Sequence, residues 1–292
     1  MTDTSVPVRV RPRVAVVGIG EVPAQGPAVR ADDLGLGHGD GCFETLRVLG
    51  RADGPPLVQR WAEHLERLAG SCAAMDLPAP DGRLLQQLVA DLTDEVPEGA
   101  EAVLRLLVTR GAPGQGPTTL VTLSPIGPGL LRQRAEGVRA VSLPLGLDVD
   151  VVSASPWLLG GAKTLSYAVA FAALREAARR DADDALLLDV RGRVLEAATA
   201  AVLWSAQGQL RCPHGAGTGI LAGTVQRAVL DAAFAAGTAI AQVEATVADL
   251  RAADAVWFTS SLRGVAEVTA LDGTALRRDP AATARLRDWA GF

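Results

Sequence analysis

Residues 184–213 read DALLLDVRGRVLEAATAAVLWSAQGQLRCP. The apolar runs are short, and between them stand Asp-Val-Arg-Gly at 189–192 and Ala-Gln-Gly-Gln at 206–209. Short apolar runs punctuated by polar, glycine-bearing turns read as successive β-hairpins. This stretch decides the fold class, because it makes the second half of the chain a sheet-forming body on which neighbouring helices must pack.

The reading extends outward from there. On the C-terminal side the turn TGILAGT (218–224) leads into a helix over 225–237, followed by strands at 239–246, 254–261 and 264–271. On the N-terminal side stand a helix at 166–181 and a strand at 138–147. The first half carries strands at 13–20 and 40–50, helices at 59–77 and 82–96 with apolar residues three and four apart, and strands at 101–111 and 118–126. Between the halves, SPIGPGLLRQRAEG (124–137) breaks the pattern with proline and glycine, as domain boundaries do. The expectation is a two-domain α+β protein: a small domain over 1–125, a linker at 126–136 and a larger β-rich domain over 137–292.

Composition narrows the function. With 292 residues, 49% of them hydrophobic, and a net charge of −5, the chain suits a soluble enzyme of small molecules better than a nucleic-acid binder, which usually carries a basic stripe. The start, MTDTSVPVRVRPRV, lacks the basic head and apolar core of a leader, and no run of 18 apolar residues occurs, so a cytoplasmic protein without a membrane span is expected. Cys42, Cys72 and Cys212 are widely spaced and form no metal-ligand pattern; they read as buried reduced thiols, and no metal is expected. VAVVGIGEVP (14–23) imitates the opening of a dinucleotide fingerprint, but Pro23 takes the third glycine slot and no amphipathic helix follows.

One residue type is more telling. Of 28 lysines and arginines, 27 are arginines; the single lysine is Lys163, in LLGGAKTLSYAV (158–169). Arginine supplies charge elsewhere, but only an amine can lose its proton and attack a carbonyl. Three other features complement it. Glu196 interrupts a run of apolar and small residues, where a carboxylate needs a cationic or hydrogen-bonding partner. The glycine-rich turn before Thr224 and Val225 opens a helix whose N-terminus can seat a phosphate. His64 and Arg67 share one helical face, and Arg67 can clamp a phosphate bidentately. Each has an ordinary alternative: Glu196 an exposed edge carboxylate, the turn a plain helix entry, His64 and Arg67 solvated surface groups. Together, an aldehyde-capturing amine, a carboxylate for a ring nitrogen and a phosphate cradle describe pyridoxal 5′-phosphate.

The stretches GHGDGCFETLRV (37–48), WAEHLERLAGSC (61–72), LLVTRGAPGQG (106–116), LGGAKTLSY (159–167), 183–204, TGILAGTVQ (218–226) and VWFTSSLRGVAEV (256–268) carry a resemblance. In order and spacing the chain resembles the class IV aminotransferases, the pyridoxal-phosphate proteins of fold type IV, which include branched-chain and D-amino-acid aminotransferases and 4-amino-4-deoxychorismate lyase. Residues 39–48 and 109–116 are most similar to the lyase. The resemblance implies that Lys163 carries the cofactor and later shuttles protons, that Glu196 faces its ring nitrogen, and that Arg67, Thr224, Val225 and Ser261 hold its phosphate. It also implies a place for Tyr167 near the cofactor's phenolic oxygen. The family works as homodimers, and LGLGHGDGC (34–42) is the segment expected to reach a partner copy's site. The cofactor is expected between the domains.

The chain departs from the family in places. Ala200 and Ala201 follow Thr199 where relatives have an amide two residues after the hydroxyl; Ala222 replaces a proline; and Val225 and Gln226 replace Thr-Arg. Phe43 stands where D-amino-acid aminotransferases tend to have a tyrosine. Arg110 and Arg105 are candidates for a substrate carboxylate. The reading that follows is a lyase releasing 4-aminobenzoate and pyruvate from aminodeoxychorismate. The alternatives are a transaminase of branched-chain or D-amino acids and a catalytically silent cofactor binder.

Overall fold

A computed structural model describes residues 10–215 and 217–292. The part of the leader reading that concerns residues 1–9 lies outside the described residues. Two compact units divide the chain: one runs to Gly127 and includes Lys163–Ser166, the other holds Pro128–Ala162 and Tyr167–Phe292.

The first unit contains β1 (Arg13–Val16), β2 (Gly20–Val22), α1 (Leu34–His38), β3 (Gly41–Leu49), β4 (Leu57–Val58), α2 (Trp61–Ala74), α3 (Gly82–Thr93), β5 (Glu101–Thr109) and β6 (Thr118–Pro125). Its sheet runs β2-β1-β6-β5-β3-β4, antiparallel throughout. Gly18 and Gly20, the glycines of the apparent dinucleotide fingerprint, adopt φ of +84° and +101° around the β1–β2 turn, so a hairpin forms there. β3 and β5 pair over their full length, from Gly41 opposite Thr109 to Leu49 opposite Glu101. Because side chains alternate across a strand, Cys42, Glu44, Leu46 and Val48 share one face, where all four are fully buried. Helix α2 covers that face with His64, Leu68, Ser71 and Cys72, spaced at one and two helical turns. Gly41 permits a close approach: a Cβ there would lie 2.4 Å from the Val108 carbonyl oxygen.

The second unit contains α4 (Pro128–Glu136), β7 (Val138–Pro144), α5 (Val149–Ser153), α6 (Ala168–Arg179), β8 (Asp184–Leu188), β9 (Val194–Ala197), β10 (Ala201–Ala206), β11 (Gln209–Cys212), α7 (Thr224–Ala235), β12 (Ile240–Gln242), α8 (Val247–Ala252), β13 (Ala255–Ser260), β14 (Gly264–Leu271), β15 (Thr274–Ala275) and α9 (Pro280–Ala290). The strands run β12-β11-β10-β13-β14-β7-β8-β9, with β15 on β14. Ala197 bridges Ala200, so β9 folds back against the start of β10 and the sheet curls. Trp204 and Phe258 lie in one apolar layer, while Trp257 faces the opposite layer with Val225, Val229 and Leu286 from α7 and α9. Burial on both faces explains why 255–258 reads as an unbroken apolar run.

The architecture is α+β. The segment expected as a linker, 126–136, is instead mostly helix: Pro128 begins α4 and Gly137, at φ +92°, follows it. Proline at a helix start and glycine just past its end are boundary signals of the helix itself, so the composition was that of α4 rather than of a loop. Arg134 of α4 donates to the Leu262 carbonyl at 2.7 Å, which ties this helix to the second unit. Helices α8 and α9 also go beyond the sequence expectation. Among the described residues no helix is long and apolar enough to cross a membrane, and no group of three or more metal-binding side chains occurs.

Candidate active site

Lys163 is fixed by its backbone. Strand β4 pairs with β3 only at Val48 and Leu49, and the earlier part of that edge takes the lysine segment as a short antiparallel bridge, Thr164 opposite Cys42. The Phe43 N–H donates to the Lys163 carbonyl at 2.9 Å and the Leu165 N–H to the Gly41 carbonyl at 2.7 Å. From the other side, the Lys163 N–H donates to Ser71 Oγ at 3.0 Å. The side chain follows Phe43, with Nζ 4.5 Å from the centre of its ring. A lysine whose N–H and carbonyl are both bonded, with Leu165 bonded two residues on, presents its amine from a rigid base, which is what positioning for chemistry requires.

One helical turn before Ser71 stands Arg67. Its Nε and Nη2 donate to the two Glu44 oxygens at 2.7 and 2.8 Å, and His64 Nδ1 lies 2.7 Å from Glu44 Oε2. Glu44 is completely buried. Burial pushes its carboxyl up, but the bonds from Arg67 and His64 outweigh that and hold it at about 2, so it is an anion at neutral pH. Glu44 thereby fixes the plane of the Arg67 guanidinium. Sequence reasoning found His64 and Arg67 and missed the carboxylate between them. Its signal was there: an acid in phase with Cys42, Leu46 and Val48 must be buried and therefore paired.

Arg105, in the middle of β5, and Arg110, just past its end, differ. Arg110 is committed: Nε and Nη2 bond Asp40 at 2.6 and 3.1 Å, Nη2 also reaches the Met75 carbonyl at 2.6 Å, and Nη1 the Asp76 carbonyl at 3.3 Å. It clips the loop before β3 to the end of α2. Arg105 is exposed and among the described residues has no ion-pair partner. It pairs in register with Thr45, two residues from Phe43, and so shares the Phe43 face of the sheet.

In the second unit, Glu196 lies half-buried on β9 between the buried Leu195 and Ala197. Thr224 and Val225 open α7, both buried, and Gly223 before them has no side chain to cap the first turn. Thr224 Oγ1 lies 3.5 Å from Ser261 Oγ, so these two predicted phosphate ligands are together. Tyr167 immediately precedes α6 and meets the edge of Phe171, with ring centres 6.1 Å apart. Ala201, in the place of the missing amide, begins β10 beneath Gly223. An uncapped helix start flanked by two hydroxyls suits a phosphate, and a rigidly based amine suits an aldehyde, so each unit's residues fit pyridoxal phosphate.

Comparison with known proteins agrees with this geometry. The model of the family described as amino-transferase class IV matches residues 41–271. The chain is 38% identical over 278 residues to the bifunctional aminodeoxychorismate lyase / D-amino acid transaminase of Mycobacterium tuberculosis, an alignment covering 90% of this chain and 93% of that one. Among solved structures, a hypothetical aminotransferase from Mycobacterium tuberculosis in its PLP-bound form superposes with a TM-score of 0.89 at 37% identity, covering 96% of this chain and 98% of that one. A fold IV transaminase from Curtobacterium pusillum gives a TM-score of 0.87 at 38% identity, covering 96% and 97%. The match spans β3, the lysine segment, β9 and the start of α7 alike, and the chain therefore belongs to the class IV aminotransferase family.

Proposed function

We propose that the chain is a pyridoxal-phosphate enzyme that converts 4-amino-4-deoxychorismate to 4-aminobenzoate and pyruvate, a step of folate biosynthesis. The observation that carries the reading is Lys163: the chain's only lysine, its main chain held by Phe43 and Ser71 and its amine against the Phe43 ring. When bound, pyridoxal phosphate supplies an aldehyde that takes up the substrate amine and a protonated ring that draws electrons from the adjoining carbon. Lys163 removes the proton from the amine-bearing ring carbon and returns a proton as the enolpyruvyl C–O bond breaks; the atoms of the substrate are then those of the two products, with no water consumed. Glu196 keeps the ring nitrogen protonated. Arg67, oriented by Glu44, joins Thr224, Val225 and Ser261 in holding the phosphate, and Tyr167 serves the phenolic oxygen.

Arg105 receives a substrate carboxylate, because Arg110 is already bonded to Asp40. Phe43 lines the substrate side with a ring that has no hydroxyl to offer an amino-acid carboxylate, which favours elimination over D-amino-acid transfer. The Mycobacterium tuberculosis relative carries both activities in its name, so transamination is the second reading. Product analysis after incubation with aminodeoxychorismate tests the first; incubation with 2-oxoglutarate and an amino acid tests the second. If only the amino group moves and no 4-aminobenzoate forms, the lyase reading falls. A protein that binds the cofactor but does neither is the silent relative. We further infer a cytoplasmic homodimer, with the exposed Leu36 of the 34–42 segment meeting a partner copy. Sedimentation showing only monomer at micromolar concentration contradicts the dimer.

A further inference from the structure

Gly223 lies so close to the start of β10 that a Cβ on it would stand 3.1 Å from the Ala201 Cβ and 3.3 Å from the Gln226 Cβ. Ala201 has no amide to direct this contact. An amide reaches the same corner from the helix instead: Gln226 Nε2 donates to the Val202 carbonyl at 3.0 Å. The ladder between β10 and β11 begins only at Trp204, which leaves the earlier part of that edge to Gln226.

The direction of this bond matters. Gln226 is the third residue of α7, the position from which a glutamine or glutamate often turns back to cap the N–H ahead of the helix. Here its donor end reaches sideways to β10 instead, and Gly223 offers no side-chain cap. The helix start is anchored without a side chain being placed across its positive end. Ala201 and Gly223 bring helix and strand together through small, apolar surfaces, which set a distance but no direction. The Gln226 bond supplies the direction.

We propose that Gln226 is the positioning residue of the phosphate seat. Its bond to Val202 fixes the first turn of α7 on β10, so that the backbone donors of Thr224 and Val225 and the hydroxyls of Thr224 and Ser261 converge on one phosphate. The inference rests on the reading that this turn holds the cofactor phosphate. It assigns the departure at Gln226 a role, and makes it the counterpart of the departure at Ala201.

The test compares pyridoxal phosphate with pyridoxal, which lacks the phosphate, by titrating the apo chain and following tryptophan fluorescence. Gln226→Met keeps length and removes the donor; Gln226→Arg keeps a donor. The Met variant should bind pyridoxal phosphate about five-fold more weakly, the worth of one hydrogen bond, with pyridoxal affinity unchanged. The Arg variant should retain the preference for the phosphorylated form. The inference is overturned if the Met variant keeps wild-type affinity, or loses both ligands alike. If the Met variant does not fold, the Arg variant decides: retained preference supports the anchor and lost preference overturns it. A wild-type chain that binds pyridoxal as tightly as its phosphate sinks the phosphate reading itself, a result distinct from failure of the anchor.

Discussion

Replacing Glu44 by glutamine tests the network beneath the lysine. The Glu44 carboxyl falls from 4.5 to about 2 in the folded chain because Arg67 and His64 bond it more strongly than burial opposes it. A fall of that size corresponds to about 3 kcal/mol of stability at neutral pH. The sign follows from the direction: a depressed carboxyl stabilises the fold above its unfolded value, near 4.5, and loses that contribution as pH falls toward 2. Roughly 2 kcal/mol of it has gone by pH 3. Glu44→Gln removes the charge while Arg67 stays in place, and breaking a buried pair from one side costs about 3–5 kcal/mol. Thermal unfolding at pH 7 should show the variant melting about 6–12 °C below wild type, and the gap should narrow as the pH is lowered to 3. A gap that does not change with pH, or a variant as stable as wild type at pH 7, refutes the argument that Glu44 is a buried anion paired with Arg67.

Arg105→Ala should raise KM for a carboxylate substrate about 10- to 100-fold, the loss of a charge-assisted bond. Arg110→Ala should leave KM within about three-fold and act instead on stability, through the clip to Asp40; steady-state kinetics that reverse this order return Arg110 to the substrate. The thiols should be inert in the native chain: Cys42, Cys72 and Cys212 are all buried, and burial pushes the Cys212 thiol up to about 11. Maleimide at pH 7.5 should therefore label three thiols only after unfolding, and fast native labelling of Cys212 would show that its pocket opens.

The legible parts of this fold are those with local pattern. The hairpins of 184–213 were readable from their turns, and α2 from its apolar spacing, because each depends on residues near in sequence. Helix α4 was misread because Pro128 and Gly137, taken as loop composition, are its two ends. Helix α9 carries the same device, Asp279 and Pro280 at its start and Gly291 after its end, and went unread. The sequence singled out Lys163 by its uniqueness, but not its placement: Thr164 pairs with Cys42, far away in the chain, and no local pattern encodes such a bridge. Glu44 was hidden for a related reason, since its partners lie on a helix that only the tertiary fold brings over β3. The Arg110–Asp40 pair was hidden likewise, since the two are equally remote in sequence.

The central claim is that Lys163 was retained because only an amine can carry the cofactor. Borohydride reduction of the cofactor-saturated protein, followed by peptide mapping, tests it directly, with Lys163→Arg in parallel. The expected result is a pyridoxyl label on the peptide containing Lys163 and no label or turnover in the variant, whose fold is intact, since arginine keeps the charge but forms no imine at neutral pH. A wild-type chain without label at Lys163, or an arginine variant turning over substrate at the wild-type rate, contradicts it.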